Sequence, residues 1–296
     1  MSRNLWRPVL FSLCVSIAAA AQAPVAPPQP LAIEGAATRV YKAIGQTELR
    51  LHVFAPPGEN SGQKPAIVFF FGGAWTNGTV QQFVPHSQYL AGRGMVAIVA
   101  DYRVFSRHAT SPFDAIADAK SAIRWVRAHA HELHIDPKRI AAGGGSSGGH
   151  LALSTAVLDA FDQPGEDRKI SSKPNALVLF NPAVDTTHAT PAALVDRFGT
   201  RGAEASPLHH LLRGVPPTVI FHGKADTTVP YADVERFCIE ATKAGSQCQL
   251  FGYDGATHGF FNPSRDAGKG YRETLLEMDR FLVTLRYLSG PATARP

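Results

Sequence analysis

Short apolar runs alternate with amphipathic stretches along most of this chain. Residues 38–44 and 48–54 read as two strands around the turn Gly45-Gln46. Residues 65–71 form a continuous apolar run that stops at Gly72-Gly73, as expected of a strand buried on both faces. Residues 82–91 read as a helix stopped by Gly92 and Gly94, and residues 95–100 as a second buried strand ending at Asp101. Ser111-Pro112-Phe113-Asp114 has the chemistry of a helix start, with a capping serine, proline at the first helical position and an acid in the first turn. Phe113, Ile116, Ile123, Val126, Ala130 and Leu133 follow at helical spacing, which carries this helix to about Asp136-Pro137. Strands are expected at 139–142, 176–180, 217–221 and 249–253, with helices at 151–158, 229–244 and 271–288.

Strands alternating with helices predict an α/β fold: a mostly parallel central sheet with helices on both faces. The first two strands, joined tightly, are expected to pair antiparallel at one edge. Residues 38–296 read as one domain, and its ligand is expected at the carboxyl ends of the strands. The one sizeable insertion, about residues 183–214, is expected to form a short cap.

The beginning of the chain reads differently. Arg3 and Arg7 precede an apolar stretch over residues 9–21 that ends in Ala21-Gln22-Ala23, the pattern of a secretory signal peptide over 1–23. Residues 24–37, with four prolines between Pro24 and Pro30, read as a linker. The expected location is therefore secreted or periplasmic, with no membrane association after cleavage. Export leaves Cys238 and Cys248 as an even pair in an oxidising compartment, so a disulfide is expected between them.

Composition narrows the class without choosing a chemistry. The chain has 296 residues, 45% hydrophobic and 18% charged, which excludes intrinsic disorder. Its net charge of +5 is spread without a basic run, so no nucleic-acid partner is expected. His129, His131 and His134 lie near Glu132, but a His-Glu-x-x-His helix would need histidine where Ile135 stands, so no metal site is expected.

The chemistry is at the strand ends. Gly144-Gly145-Ser146-Ser147-Gly148-Gly149 joins a strand to a helix. Gly-x-Ser-x-Gly in that setting holds a nucleophilic serine in a sharp turn, where its neighbours must lack bulk. The helix N-terminus favours the negative charge that develops there. Two registers fit; the first makes Ser146 the nucleophile and the second Ser147, and the first is preferred for the Gly148-Gly149 that follows. His258, after the last strand, is the expected base, with His209, His210 and His222 as rivals. Asp226, after the strand over 217–221, is the expected orienting acid, with Asp185, Asp233 and Asp254 as rivals. The chain order Ser, Asp, His is the one this arrangement uses. Backbone N–H groups of Ser147, Gly73 and Ala74 are the expected oxyanion donors.

These segments resemble the α/β-hydrolase esterases, and most closely the branch containing acetyl esterases, acetylxylan esterases and the hormone-sensitive-lipase relatives. Gly144 to Leu151 lines up with that branch's Gly-x-Ser-x-Gly-Gly-His-Leu, and Phe71-Gly72-Gly73-Ala74-Trp75 with its His-Gly-Gly-Gly-Trp loop. Asp101-Tyr102-Arg103, His222-Gly223-Lys224-Ala225-Asp226 and Thr257-His258-Gly259-Phe260 match further segments of it. Phe71 in place of histidine and Ala74 in place of glycine are departures. The resemblance implies the α/β-hydrolase fold and a serine esterase that needs no cofactor, acting on an acylated carbohydrate or a small ester. Trp75 is expected either to line the acyl or sugar site or to serve as a structural plug. With so little chain before the first strand, no large N-terminal cap is expected, and an open site would admit acyl groups on a polymer. Feruloyl esters and a serine exopeptidase remain alternatives. A uronic-acid methyl-esterase is another, with Arg103 or Arg107 as its cation.

Overall fold

The computed structural model describes residues 27–58, 62–187 and 197–293. The expected signal peptide lies outside them. Eight strands form one sheet: β1 (Ala37–Ile44), β2 (Thr47–Phe54), β3 (Lys64–Phe70), β4 (Val96–Ala100), β5 (Ile135–Gly145), β6 (Ala176–Phe180), β7 (Thr218–Gly223) and β8 (Cys248–Tyr253). Their order across the sheet is β1-β2-β4-β3-β5-β6-β7-β8. β1–β2 and β2–β4 pair antiparallel, and every pairing from β4–β3 onward is parallel. The helices are α1 (Val84–Gly92), α2 (Phe105–His108), α3 (Pro112–Ala128), α4 (Ser147–Val157), α5 (Gly202–Ala205), α6 (Tyr231–Lys243) and α7 (Lys269–Thr284). No helix among the described residues is long and apolar enough to cross a membrane.

Hydrophobic pattern and burial agree in the central strands. Ala66 to Phe70, Val96 to Ala100 and Ala176 to Phe180 are all buried, as central parallel strands require. α6 buries Val234, Phe237, Cys238 and Ala241, one stripe at helical spacing. At the start of α3 the Asp114 carboxylate accepts the N–H (2.9 Å) and the hydroxyl (2.7 Å) of Ser111. That helix stops earlier than the spacing of Ala130 and Leu133 predicts. His134 takes a left-handed φ of 53°, and Ile135 already pairs with Lys64 as the start of β5. Both periods fit so short an apolar run.

Two segments fasten the periphery. Cys238 of α6 and Cys248 of β8 are joined by a disulfide. Residues 27–36 lie against the body: Gln29 donates to the Gly78 carbonyl (3.4 Å) and accepts the Val80 N–H (3.0 Å).

α1 carries a fully buried histidine. His86 sits among Phe83 (5.0 Å between ring centres), Phe180 (5.2 Å) and Tyr271 (4.8 Å), and burial pushes its pKa down to about 3. The unfolded chain binds a proton there below about pH 6.5, whereas the folded chain stays neutral. Stability contributed by this site is therefore complete above that pH and is lost as the pH falls toward the folded value. At pH 5 the loss is about 2 kcal/mol. In urea denaturation at pH 7.5 and pH 5, the wild type is expected to lose about that much more stability than His86→Leu. Equal pH responses would contradict the assignment.

Candidate active site

The centre of the molecule is the turn from β5 into α4. Ser146 occupies it with φ 54° and ψ −120°, a conformation that non-glycine residues rarely adopt. What imposes it is close backbone packing. A Cβ on Gly144 would lie 2.5 Å from the carbonyl oxygen of Phe70 at the end of β3, and one on Gly148 would lie closer still to that same oxygen. The turn thus passes directly beneath β3 with no room for side chains on either flank of the serine. Ser147 is buried in the first turn of α4.

Ser146 Oγ lies 3.0 Å from His258 Nε2, and His258 Nδ1 lies 2.7 Å from Asp226 Oδ2. Three loops, each following a strand's carboxyl end, bring these residues together. The other carboxylate oxygen of Asp226 accepts the N–H groups of Thr228 (2.8 Å) and Val229 (2.9 Å). Burial pushes the Asp226 carboxyl up, but the bonds from His258, Val229 and Thr228 outweigh it and hold its pKa below the ordinary value. Of the rival histidines, His222 is buried behind the acid, 3.0 Å from the Val229 carbonyl, and His209 bonds Ser206 at 2.8 Å. His210 bonds the Ala203 carbonyl at 3.1 Å. Asp185 accepts from Thr187, and Asp254 pairs with Lys224 at 2.8 Å.

The loop after β3 curls over the serine. Gly73, Ala74 and Trp75 have φ values of 135°, 55° and 56°, and the Gly73 carbonyl accepts the N–H groups of Thr76 and Asn77, each at 3.0 Å. The N–H of Gly72 is taken by Gln82 Oε1 at 2.6 Å, and Gly73 and Ala74 come next along the rim of the cleft. Gln82 also donates to Asn262 Oδ1 (3.0 Å), and Asn262 donates to the Gly259 carbonyl (2.7 Å). This chain of amides ties the loop after β3 to the loop carrying His258. Phe71, where the resembling esterases have histidine, stacks on Tyr102 (4.1 Å), whose hydroxyl donates to the Phe71 carbonyl (2.7 Å).

The cleft above Ser146 has a volume of about 490 Å³, and its walls include Asn77, Gln82, Asn181, Arg197, Thr228 and Arg265. A larger concavity of about 580 Å³ beside it is lined by the segment from Tyr253 to Thr257 and by Lys269 and Glu273, without Ser146 or His258. Trp75 is not among the residues lining the cleft. It is 3% exposed, packed edge-on against His150 (5.0 Å) and Phe198 (4.9 Å), and it borders a neighbouring cavity of about 410 Å³. The left-handed turn through Ala74 and Trp75 carries the ring inward, which corrects its expected place at the substrate. Arg103 and Arg107 are also turned away. Arg103 pairs with Asp118 (2.8 Å), and Arg107 donates to the Gly78 carbonyl (2.8 Å) and faces Asp101 (3.6 Å). Gln82, Asn181, Asn262, Arg197 and Arg265 were not singled out by sequence. Of these, only Asn181 carried a signal, a polar residue directly after a buried strand.

The packing of the serine turn is open to direct test. Gly148→Ala puts a methyl group onto backbone that cannot move independently, and it is expected to cost about 1–3 kcal/mol or more. Gly92→Ala, at the end of α1 with nothing within 4 Å of the added carbon, is expected to be neutral or stabilising. Urea denaturation of both variants checks the contrast, and equal midpoints would remove the steric account.

Comparison with known proteins finds esterases. The pattern of the BD-FAE family matches residues 51–239. The chain is 30% identical over 265 residues to the probable carboxylic ester hydrolase LipM of Mycobacterium tuberculosis, covering 81% of this chain and 60% of that protein. It is 29% identical over 240 residues to the probable isoprenylcysteine alpha-carbonyl methylesterase ICMEL1 of Arabidopsis thaliana, covering 72% of this chain and 49% of that protein. The chain thus spans about half to three fifths of the length of these curated relatives. Among solved structures, Thermogutta terrifontis esterase 2 phosphorylated by paraoxon is 46% identical, with a TM-score of 0.82 over 87% of this chain and 96% of that one. The same esterase has been solved with propionate bound, again at 46% identity and a TM-score of 0.82, covering 87% of this chain and 97% of that one. The chain belongs to the BD-FAE family, among the α/β-hydrolase esterases of the hormone-sensitive-lipase-like branch.

Proposed function

We propose that the protein is an exported serine carboxylic-ester hydrolase that deacylates carbohydrate or small ester substrates. The observation that carries the proposal is the hydrogen-bonded series from Ser146 Oγ through His258 to Asp226, at 3.0 and 2.7 Å, opening into a cleft. In the proposed reaction, Ser146 Oγ attacks the ester carbonyl while His258 Nε2 accepts the hydroxyl proton. Asp226 holds the imidazole in the required tautomer and balances the charge it gains. The tetrahedral oxyanion is held by the N–H groups of Ser147 and of Gly73 or Ala74. Collapse expels the alcohol, which takes the proton from His258 and leaves an acyl group on Ser146. Water, deprotonated by His258, attacks that acyl group, and the carboxylic acid departs as the serine recovers its proton.

Acylated sugar is the favoured substrate class because the cleft wall carries amides and hydroxyls, among them Asn77, Asn181 and Thr228. Such groups form hydrogen bonds with sugar hydroxyls more readily than with long acyl chains. The resemblance to acetyl and acetylxylan esterases supports the same class.

Two measurements test this on the mature chain, residues 24–296. Wild type is expected to release acetate from acetylated xylan and to cleave p-nitrophenyl acetate. Ser146→Ala is expected to lose about three orders of magnitude or more on both substrates. Cleavage of p-nitrophenyl acetate alone would leave the esterase standing and remove the polysaccharide. Paraoxon is expected to add one diethylphosphoryl group to the peptide containing Ser146, read by mass spectrometry. Full activity in Ser146→Ala would overturn the assignment and direct attention to Ser147.

A further inference from the structure

Arg197 stands at the rim of the cleft, and the role assigned to it below rests on the ester-hydrolase reading above. Buried arginines in this protein generally have a carboxylate. Arg93 meets Asp279 at 2.6 Å, Arg103 meets Asp118 at 2.8 Å, and Arg124 meets Asp162 at 2.7 Å. Arg197 departs from that rule: among the described residues it has no ion pair, and its Nε is buried without a hydrogen-bond partner. Burial lowers its pKa. A guanidinium in that state is under-solvated and retains donors for a ligand.

Its position gives the vacancy a direction. Arg197 lines the cleft that contains Ser146 and His258, and it also borders the adjoining 410 Å³ cavity walled by Trp75, Phe105 and Pro112. Phe198 beside it is buried edge-on against Trp75 (4.9 Å) and Phe113 (5.7 Å), which fixes the backbone from which the guanidinium projects. Arg265, an exposed residue, lines the same cleft and has no ion pair among the described residues. Among the described residues lining the cleft, none is an aspartate or glutamate. Asp226 stands behind His258 and is engaged by His258, Thr228 and Val229. The charged side chains that the described residues bring to the cleft wall are thus the two arginines, and clefts focus the field of such charges onto an entering ligand.

We infer that Arg197 is a substrate-binding residue that selects esters carrying a free carboxylate, with Arg265 contributing to the attraction. Guanidinium and carboxylate match in a bidentate pair that a point charge does not reproduce. The carboxylate belongs either to the acyl part or to the alcohol part of the ester, and the two sources are separable by choice of substrate.

The test compares kcat/KM within matched pairs. For the acyl side the pair is p-nitrophenyl hydrogen glutarate and p-nitrophenyl butyrate. For the alcohol side it is para-acetoxybenzoate and para-acetoxybenzamide. Wild type is expected to favour the anionic member of one pair. Arg197→Gln is expected to lower the anionic-to-neutral ratio by about tenfold, mainly through KM, and Arg197→Lys to restore part of it. The preference is also expected to shrink with added salt. A ratio unchanged in Arg197→Gln, or no anionic preference in either pair, would overturn the inference while leaving the esterase intact. Calorimetric binding of glutarate and of benzoate to Ser146→Ala, with and without Arg197→Gln, decides the point without turnover. If affinity for both acids survives the loss of Arg197, the inference falls. If the wild type hydrolyses no ester, the functional reading falls, and these binding data still decide whether Arg197 holds a carboxylate.

Discussion

The arrangement depends on one steric condition: the turn from β5 into α4 has to pass beneath the carboxyl end of β3 at backbone contact. Phe70 contributes the oxygen against which Gly144 and Gly148 would both collide if either bore a side chain. That contact leaves the chain little choice but to reverse sharply at Ser146, with the positive φ that lifts its hydroxyl clear of the sheet. It also brings the loop after β3 alongside, so that nucleophile and N–H donors approach from adjacent strands. The strain at Ser146, of order 1–3 kcal/mol, is sustained by the all-buried strands on either side.

Around that contact, polar groups set the distances between loops. Tyr102 fixes Phe71 through its hydroxyl, Gln82 and Asn262 link two loops that are far apart in sequence, and Asp226 receives four hydrogen bonds or close contacts from neighbours, including the buried His222 at 3.4 Å. Each of these groups is at least partly withdrawn from water, where an unmet donor or acceptor is expensive. Displacing one loop breaks bonds in the next, so the loops behave as a single unit although they have no regular secondary structure in common. Among the described residues, Arg197 is set apart from the other withdrawn arginines by having neither a carboxylate nor a partner for its Nε.

Much of this was legible in the chain because the relevant constraints are local. The run 65–71, the alternation of strands and helices, and the glycines flanking Ser146 each follow from a few neighbouring residues, and with them come the sheet and the expected position of the serine. The order Ser146, Asp226, His258 added the expectation that the other two lie at strand ends. What escaped depends on long-range geometry. The pairing of Gln82 with Asn262 joins residues 180 positions apart and has no sequence signature. Sequence leaves Trp75 open between substrate lining and structural plug, because the inward turn of its ring depends on packing against Phe198 and His150, which come from distant parts of the chain. Arg103 and Arg107 were plausible cations by strand-end location, yet acids and carbonyls already occupy them. Arg197, inside the insertion, had no periodic context to mark it.

The disulfide between α6 and β8 bears on how the molecule opens. β8 is the last strand of the sheet, paired on one side only and partly exposed along its length. Such strands are ordinarily the first to detach in local fluctuations, exchanging their amide hydrogens well before the core does. Here Cys248 is fastened to a helix whose Val234, Phe237 and Ala241 are held in the core, so β8 cannot detach from its first residue without disturbing that helix. The loop bearing His258 leaves directly from the other end of this strand. An oxidising environment therefore does more than add to global stability: it moves the edge that carries the histidine from the fraying population of the native ensemble toward the population that opens only with the core.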